Sequence, residues 1–497
     1  MPLPSLAGLD PISGDTCEKL LARFRFTGFT SKLVSEADGF FSGTLRAPRL
    51  PIVRFWLERR PEPGATLARL FVYDATLGET EARDALSPEL FEHLLDAGVV
   101  ERSGGGVRSL FLVHPVDPGI YVLSDRLDAG RDAVMGPGGG TEHLARLVPA
   151  AFEGRALDLG CGAGTLALVA ARRGAKRAVG VDLNPRAIEL SRFNTRLNGL
   201  DAEFFAGNGV EPVENESFDL VLSQPPFVGR PSEQEERTFL FGGARGDELA
   251  LAFLAAVPSV LAPGGRAFFL LQSAEREGEP LTTRVRRVLG DSAPHLLVLS
   301  GGGPTPATQA SVFASFEDPS FGEEYARSAR RYLEHFEKLG IAAFGGALVV
   351  LSRPTPALGD GRYALGLTLR GPHYDAVSLE TFLRSLDLVE TPDDVLERSQ
   401  LRLSPHVRST LELVDDPNAP GTPAQSAVLR VAAPGIGSDW PVAPAELEVL
   451  RAIDASPSVR AALDAIVQAA PALASLRDEL LGFVRNALLR GALVRGG

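Results

Sequence analysis

Two aspartates in the first half of the chain, Asp158 and Asp182, have surroundings that suit them to binding a charged nucleoside. Asp158 lies two residues before a turn with glycines at 160, 162 and 164, which let the backbone approach a ligand closely. A carboxylate so near the turn would repel a pyrophosphate, but it suits a cationic ligand such as S-adenosylmethionine (SAM). Asp182 ends an apolar segment, where a carboxylate can accept hydrogen bonds from both hydroxyls of a ribose. These residues predict a SAM site.

The elements that would position these residues alternate in the order typical of a nucleotide-binding α/β fold. Apolar segments predict strands at 156–159, 178–182, 203–205 and 218–223, with helices at 165–172 and 185–197. Asn208, after the third strand, can bond an adenine edge, and Cys161 is expected to be a small filler in the turn. The cofactor residues predicted besides the two aspartates are Gly160, Cys161, Gly162, Gly164, Leu183, Asn208 and Gly209.

Residues 156–227 resemble the class I SAM-dependent methyltransferases, and their fourth strand ends in Ser223-Gln-Pro-Pro-Phe227. This end is similar to the (Asn/Asp/Ser)-Pro-Pro-(Tyr/Phe) motif of members that methylate amino groups. Such members are the HemK-like enzymes, which methylate a release-factor glutamine, and the methylases of exocyclic base nitrogens. Upstream, Gly136-Pro-Gly-Gly-Gly-Thr141-Glu142 is similar to the loop that covers the SAM site in HemK-like enzymes. The resemblance implies SAM as cofactor, S-adenosylhomocysteine (SAH) as product, and both Thr141 and Gln224 in the cofactor site.

The resemblance also implies a catalytic role for residues 224–227. An amide or aromatic amine is a weak nucleophile because its lone pair is delocalised, so it must be held in line with the methyl group. Gln224 and the backbone carbonyl of Pro225 can accept hydrogen bonds from the amino group, Pro226 stiffens the turn, and Phe227 can stack on a flat acceptor. Gln224 departs from the family pattern, and its side-chain carbonyl is one methylene farther from the backbone than that of Asn. The alternative is that these residues only end the strand.

The composition indicates a globular, multidomain protein of 497 residues, 44% hydrophobic and 23% charged. Because the chain has only two cysteines, we expect no disulfide framework, and the seven histidines form no recognisable metal-ligand cluster in the sequence. No signal peptide is recognisable at the N-terminus and no apolar run is long enough to span a membrane, so we expect a cytoplasmic protein without a membrane partner. The formal charge of −13 disfavours nucleic acid as acceptor. The arginines at 284–287 and 327–331 are interpreted as solvated helix faces.

Three regions are predicted along the chain: an N-terminal domain (1–135), a class I methyltransferase core (136–355) and a C-terminal domain (356–497). The resemblance implies a Rossmann-like, seven-stranded α/β core, with later strands at 266–271, 295–300 and 311–316 after a helix at 247–261. Two helices and a glycine-turn hairpin within 65–113 predict a winged-helix-like α+β domain, and the tail has a similar order. The full length resembles a bacterial group of three-part methyltransferases whose flanking domains have no assigned role. We expect the flanks to wall the acceptor side of the cleft and to carry no chemistry.

Three functions remain open at this point. The first is SAM-dependent methylation of an amide or amine nitrogen in a protein, peptide or small molecule. The second is N-methylation of a base in rRNA or DNA, which the Pro-Pro-Phe motif equally permits. The third is a non-catalytic SAM-binding regulatory protein, in which Gln224 marks lost catalysis.

Overall fold

The computed structural model describes residues 3–39, 49–126, 130–231, 240–290, 294–318, 320–358, 361–368, 376–415, 423–433 and 436–496. The chain forms two compact units, one of residues 1–290 and 302–350 and the other of residues 291–301 and 351–497. The first unit therefore combines the predicted N-terminal region with most of the predicted core. The three-part division at 135 and 355 stays a prediction.

The first unit begins with short helices followed by two antiparallel hairpins. The hairpin over residues 100–109 turns at Gly104 and Gly105, whose φ angles of 60° and 80° are those that a two-residue hairpin turn requires. The predicted helices near 65–71 and 87–95 and this hairpin are confirmed. The elements are α1 (Gly14–Thr27), α2 (Ser31–Gly39), α3 (Leu50–Glu58), α4 (Pro63–Phe71), α5 (Glu79–Leu86), α6 (Pro88–Asp96), β1 (Val100–Ser103), β2 (Gly106–Ser109), β3 (Leu112–Val116) and β4 (Ile120–Ser124).

The alternating strands and helices predicted for the core follow. They are α7 (Gly139–Leu147), β5 (Arg155–Leu159), α8 (Thr165–Arg172), β6 (Arg177–Asp182), α9 (Pro185–Asn198), β7 (Glu203–Ala206), β8 (Phe218–Ser223), β9 (Val228–Gly229), β10 (Phe241–Gly243), α10 (Glu248–Ala256), β11 (Leu261–Glu275), α11 (Leu281–Leu289), β12 (His295–Ser300), α12 (Pro306–Glu317), α13 (Glu323–Leu339) and β13 (Ala343–Ser352). Within the first unit, the sheet runs in the order β13-β11-β8-β5-β6-β7. The pairs from β11 to β7 are parallel, so the carboxyl ends of these strands share one edge, as the Rossmann-like prediction requires.

Apolar side chains explain why these segments became central strands. Leu157, Leu159, Val179 and Val181 are at most 1% exposed, because helices cover both faces of a parallel sheet. Helix α9 begins at a signal visible in the sequence, since the Asn184 side chain accepts a hydrogen bond from Arg186 N and Pro185 occupies the first helical position. These two residues therefore start α9 directly after the end of β6 at Asp182.

One predicted element type and one predicted element boundary were wrong. Residues 311–316, predicted as a strand, lie in helix α12, which Thr305 caps by accepting a hydrogen bond from Thr308 N and which Pro306 begins. This proline-first cap outweighed the strand propensity of the apolar run that follows it. The helix predicted over 247–261 ends at Ala256, and β11 already starts at Leu261, with a register shift between Leu261 and Arg266 that accommodates the Pro-Gly-Gly segment.

The second unit contains β12, whose neighbour β14 (Ala364–Thr368) runs parallel to it. Its further elements are α14 (Ala376–Leu386), α15 (Asp393–Arg398), β15 (Leu401–Leu403), β16 (Val407–Asp415), β17 (Pro423–Ala433), β18 (Ile436–Val442), α16 (Pro444–Ala455), α17 (Val459–Ala469), α18 (Arg477–Leu489) and β19 (Leu493–Arg495). The strand after α18 pairs antiparallel with β15, and β16, β17 and β18 form an antiparallel sheet. The tail therefore has helices and small β elements, as the α+β prediction expected.

Candidate functional site

A cleft of about 270 Å³ opens at the carboxyl ends of β5, β6 and β8. It is lined by all the predicted site residues except Gly164, namely Thr141, Asp158, Gly160, Cys161, Gly162, Asp182, Leu183, Asn208, Gly209, Gln224, Pro225, Pro226 and Phe227. The predicted cofactor residues and the predicted catalytic residues thus share one cavity. This is the edge at which open α/β sheets bind ligands.

Asp158 lies at the floor of the cleft and is 3% exposed. Its Oδ2 atom accepts hydrogen bonds from Leu166 N and Ala167 N, both at 3.1 Å, so the carboxyl group holds the first turn of α8. Burial raises the pKa of Asp158 to about 7, against the two backbone hydrogen bonds, which lower it. Its charge therefore responds to a cation that enters the cleft.

Asp182 joins the end of β6 to the glycine turn. Its Oδ2 accepts a hydrogen bond from Gly162 N at 2.8 Å and its Oδ1 accepts one from Asn184 N at 2.9 Å. Burial raises the pKa of Asp182, and the two backbone donors oppose that shift. Each carboxylate oxygen has a second acceptor site, so both can still accept a ribose hydroxyl.

The three glycines of the turn have different tasks. Gly160, Gly162 and Gly164 have φ angles of 75°, 51° and 83°, in the left-handed region that favours glycine. A methyl group on Gly164 would meet Ser191 Oγ at 2.8 Å and the Phe204 ring at 2.9 Å, which explains why this glycine serves packing and does not line the cleft.

The remaining predicted cofactor residues surround the turn. Cys161 is 7% exposed, and burial raises the pKa of its thiol well above the ordinary value, so the thiol stays protonated. Leu183 is 63% exposed at the mouth of the cleft. Asn208 is exposed, and its Nδ2 atom donates to Glu211 Oε1 at 3.3 Å. Its amide oxygen remains able to accept a hydrogen bond.

Gln224 is held by the first turn of α7, near the start of the predicted core. Thr141 Oγ1 donates a hydrogen bond to Gln224 Oε1 at 2.8 Å. Ser223, one residue earlier, is fully buried, and its hydroxyl donates to Leu159 O at 2.7 Å. This hydrogen bond joins the end of β8 to the end of β5. It fixes the position at which the Gln-Pro-Pro-Phe segment leaves the carboxyl edge of the sheet.

Aromatic and aliphatic side chains form the end of the cleft beyond Gln224. Phe227 packs against the Phe313 ring, with 6.4 Å between the ring centroids, and Phe316 from the same helix also lines the cavity. Val228 and Leu240 complete this apolar wall. Among the described residues that line the cleft, none is lysine, arginine or histidine. This end suits an uncharged, flat group.

The loop of residues 241–247 packs against the backbone of Pro226 and Phe227. Strand β10 runs parallel to β9, and methyl groups on Gly242 and Gly246 would lie 2.3 Å from Pro226 O and 2.2 Å from Phe227 O. The loop ends at Asp247, which forms an ion pair with Arg284 in which each side chain is 2% exposed. The interpretation of Arg284 as part of a solvated face was therefore wrong, because α11 turns this residue inward while Arg286 and Arg287 stay exposed.

Sequence reasoning missed several lining residues. Ala133, Val134 and Met135 line the cleft from the end of the predicted N-terminal region, and Phe253 and Phe316 line it from α10 and α12. The wall at 133–135 is fixed because Asp125 Oδ2 accepts hydrogen bonds from Val134 N at 2.9 Å and from Arg186 Nε at 2.7 Å. Helical periodicity was the available signal for Phe253, whereas Phe316 lay in the segment predicted as a strand.

The described part of the chain contains no group of three or more histidine, cysteine, aspartate or glutamate residues placed to hold a metal ion. Within the same residues, no helix is both long and apolar enough to cross a membrane.

Comparisons with known proteins agree with the geometry of the cleft. Residues 136–288 match the Methyltransferase small domain family, and residues 41–110 match a domain of unknown function (DUF7059). A Methanocaldococcus jannaschii protein that bears the name of a protein N5-glutamine methyltransferase is 34% identical over 131 residues, which are 25% of this chain and 65% of that protein. The ribosomal RNA small subunit methyltransferase C of Escherichia coli is 33% identical over 148 residues, 28% of this chain and 40% of its own length.

A solved structure, that of a Thermus thermophilus 16S rRNA methyltransferase in complex with AdoMet and guanosine, is 18% identical with a TM-score of 0.30. It covers 56% of this chain and 63% of its own. The chain thus spans less than two thirds of each of these relatives.

Proposed function

We propose that this chain, whose residues 136–288 form a class I SAM-dependent methyltransferase domain related to HemK-like enzymes, methylates an amide or amine nitrogen of a protein, peptide or small-molecule acceptor. The observation that carries the proposal is the single cleft that holds both Asp158 and Asp182 at one end and Gln224 and Phe227 at the other. A donor bound between the aspartates would lie beside a polar acceptor group and an aromatic wall.

The cofactor end fits SAM in shape and charge. Asp182 can accept hydrogen bonds from the ribose hydroxyls, and the amide oxygen of Asn208 can accept one from the adenine amino group. Asp158 supplies negative charge for a cationic ligand. The backbone at Gly160 and Gly162 leaves room for close approach, because methyl groups there would meet nothing nearer than 3.6 Å. SAM, when bound, supplies a methyl group activated by the sulfonium.

The acceptor end would position the nucleophile. Gln224 Oε1 has a second acceptor site beside the one that Thr141 fills, and the Pro225 carbonyl offers another, so both can bind hydrogen atoms of an amino group. The nitrogen lone pair then forms the N–C bond as the C–S bond breaks, the electron pair stays on sulfur, and the nitrogen loses a proton to water. Positioning of this kind can contribute about 7–11 kcal/mol in favourable cases.

A second candidate function is N-methylation of a nucleic-acid base. The apolar wall of Phe227 and Phe316 suits a base as well as it suits an amide, and one relative bears the name of an rRNA methyltransferase. The absence of basic side chains among the described lining residues and the net charge of −13 favour the first candidate.

The test is to incubate the full-length protein with tritiated SAM and fractionated lysate, and to measure label in protein, RNA and small molecules after protease or ribonuclease treatment. Label that only protease removes, or label in the small-molecule fraction, supports the first candidate, and label that only ribonuclease removes supports the second. Gln224→Ala is the control, with an expected loss on the order of 10²-fold in turnover and SAM affinity nearly unchanged. SAM binding without any labelled product would favour a non-catalytic regulatory protein.

A further inference from the structure

The tip of the Gln224 side chain is enclosed by the first turn of α7. Thr141 Oγ1 donates to Gln224 Oε1 at 2.8 Å. The preceding residue, Gly140, also lies close to the amide group: a methyl group there would come within 2.3 Å of Gln224 Nε2 and 2.8 Å of Gln224 Cδ. The amide group is therefore close to both a hydroxyl donor and a bare stretch of backbone.

Gln224 needs such a support more than a shorter residue would. It has one more rotatable bond than asparagine, so its carbonyl oxygen has more positions to occupy before the acceptor arrives. A hydroxyl that donates to the oxygen selects one orientation of the amide plane and leaves the second acceptor site of that oxygen open. The orientation of the amide plane is thus established before the acceptor binds, which is the condition for effective positioning.

The backbone at Gly140 does not itself demand glycine. Gly140 lies inside α7 and is not among the glycines with a positive φ angle, and alanine is the better helix former at such a position. Its neighbour Gly139 has the same helical setting, but a methyl group there would meet nothing within 4 Å. The side chain of Gln224 accounts for the glycine at 140.

We propose that Thr141 and Gly140 are positioning residues for Gln224: the threonine hydroxyl orients its carbonyl oxygen and the glycine makes room for its amide group. Thr141 then acts on the methyl-transfer step through Gln224, in place of the cofactor-binding role that its loop suggested. The inference rests on the proposed function, because it assigns these residues to the acceptor end of the same cleft.

The test uses the full-length protein with tritiated SAM and two probes, a glutamine-containing peptide and a guanosine-containing RNA oligonucleotide. We expect Gly140→Ala to lower kcat by about 10-fold or more without lowering the melting temperature, while Gly139→Ala leaves both unchanged. Thr141→Val is expected to lower kcat on the order of 10-fold with the Kd for SAM within about 2-fold of wild type, and Thr141→Ser to retain most of the turnover. In the Gly140→Ala background, Gln224→Asn should cost less than it does in the wild-type protein, because the two residues share one contact.

A readout independent of turnover is the side-chain amide signal of Gln224 in protein labelled with 15N-glutamine, assigned by its absence from Gln224→Asn. This signal should move in Gly140→Ala and Thr141→Val and stay in place in Gly139→Ala. Equal turnover and equal amide signals in Gly140→Ala and Gly139→Ala would overturn the inference, as would a Thr141→Val variant that loses SAM affinity with kcat intact. A wild-type protein that binds SAM but labels neither probe would contradict the proposed function for these acceptor classes, and the amide signal alone would then decide the positioning relation.

Discussion

Asn194 binds the backbone of Leu123 as a neighbouring β-strand would: Leu123 N donates to Asn194 Oδ1 at 2.8 Å, and Asn194 Nδ2 donates to Leu123 O at 2.9 Å. One turn later, Asn198 makes the same pair of hydrogen bonds to Tyr121, at 2.8 and 2.7 Å. Helix α9 therefore satisfies the free edge of β4 with two buried side chains. This ladder fixes the end of the predicted N-terminal region to the helix that follows Asp182.

We expect Asn194→Ala to lower the free energy of unfolding by about 2–4 kcal/mol, because it leaves the buried N–H and C=O groups of Leu123 without partners. Urea denaturation followed by circular dichroism measures this free energy of unfolding. Glu189→Ala, an exposed change on the same helix, should shift the free energy of unfolding by less than about 0.5 kcal/mol. Equal stability of the two variants would show that water replaces the ladder. A fragment that begins at residue 136 should be destabilised for the same reason.

The glycine turn, the strand ends and Asp182 could be predicted because a tight turn between buried strands and helices imposes local residue types. The Asn194 ladder could not, since its partners lie about 70 positions upstream and an asparagine inside a helix has no local reason to be there. Phe316 was missed for a related cause, because an apolar run with one valine fits a strand as well as a buried helix. Arg284 was misplaced since charge alone predicts exposure, whereas its partner Asp247 lies 37 residues earlier.

The affinity for SAM should depend on pH through Asp158, whose pKa burial raises to about 7. Below that pH the carboxyl group is largely protonated and neutral, and a cationic ligand favours its ionised form. Affinity is therefore expected to rise between pH 5 and 7, by up to about tenfold per pH unit, and to level off above pH 7 as the carboxyl group becomes fully ionised. Calorimetric titration at several pH values measures this, and Asp158→Asn should flatten the profile over that range. An unchanged pH profile in the variant would contradict the assignment.

The buried ion pair between Asp247 and Arg284 should hold the loop behind Pro226 and Phe227. Arg284→Met leaves a buried carboxylate without its partner, and we expect the free energy of unfolding to fall by about 3–5 kcal/mol. Arg286→Met, on the exposed side of the same helix, is the matched control and should change little. The double variant Arg284→Met/Asp247→Leu should recover much of the loss, since it removes the unpaired charge. A double variant as unstable as the single one would show that shape, not charge, dominates at this position.

Phe316 is expected to set the affinity for the acceptor. It is 38% exposed and lines the cleft beyond Gln224, and its neighbour Phe313 packs against Phe227. Phe316→Ala removes part of a flat apolar wall that would bind the acceptor equally in the ground state and the transition state, so KM for the acceptor should rise about 10-fold with kcat nearly unchanged. Phe316→Tyr should retain the wild-type KM because the ring persists. The control is Phe321→Ala, which removes an equally exposed ring, also 38%, from outside the cleft. Steady-state kinetics with the acceptor found by the labelling experiment decides the matter: a fall in kcat at constant KM would place Phe316 in transition-state positioning, and a weaker Kd for SAM would place it at the cofactor end.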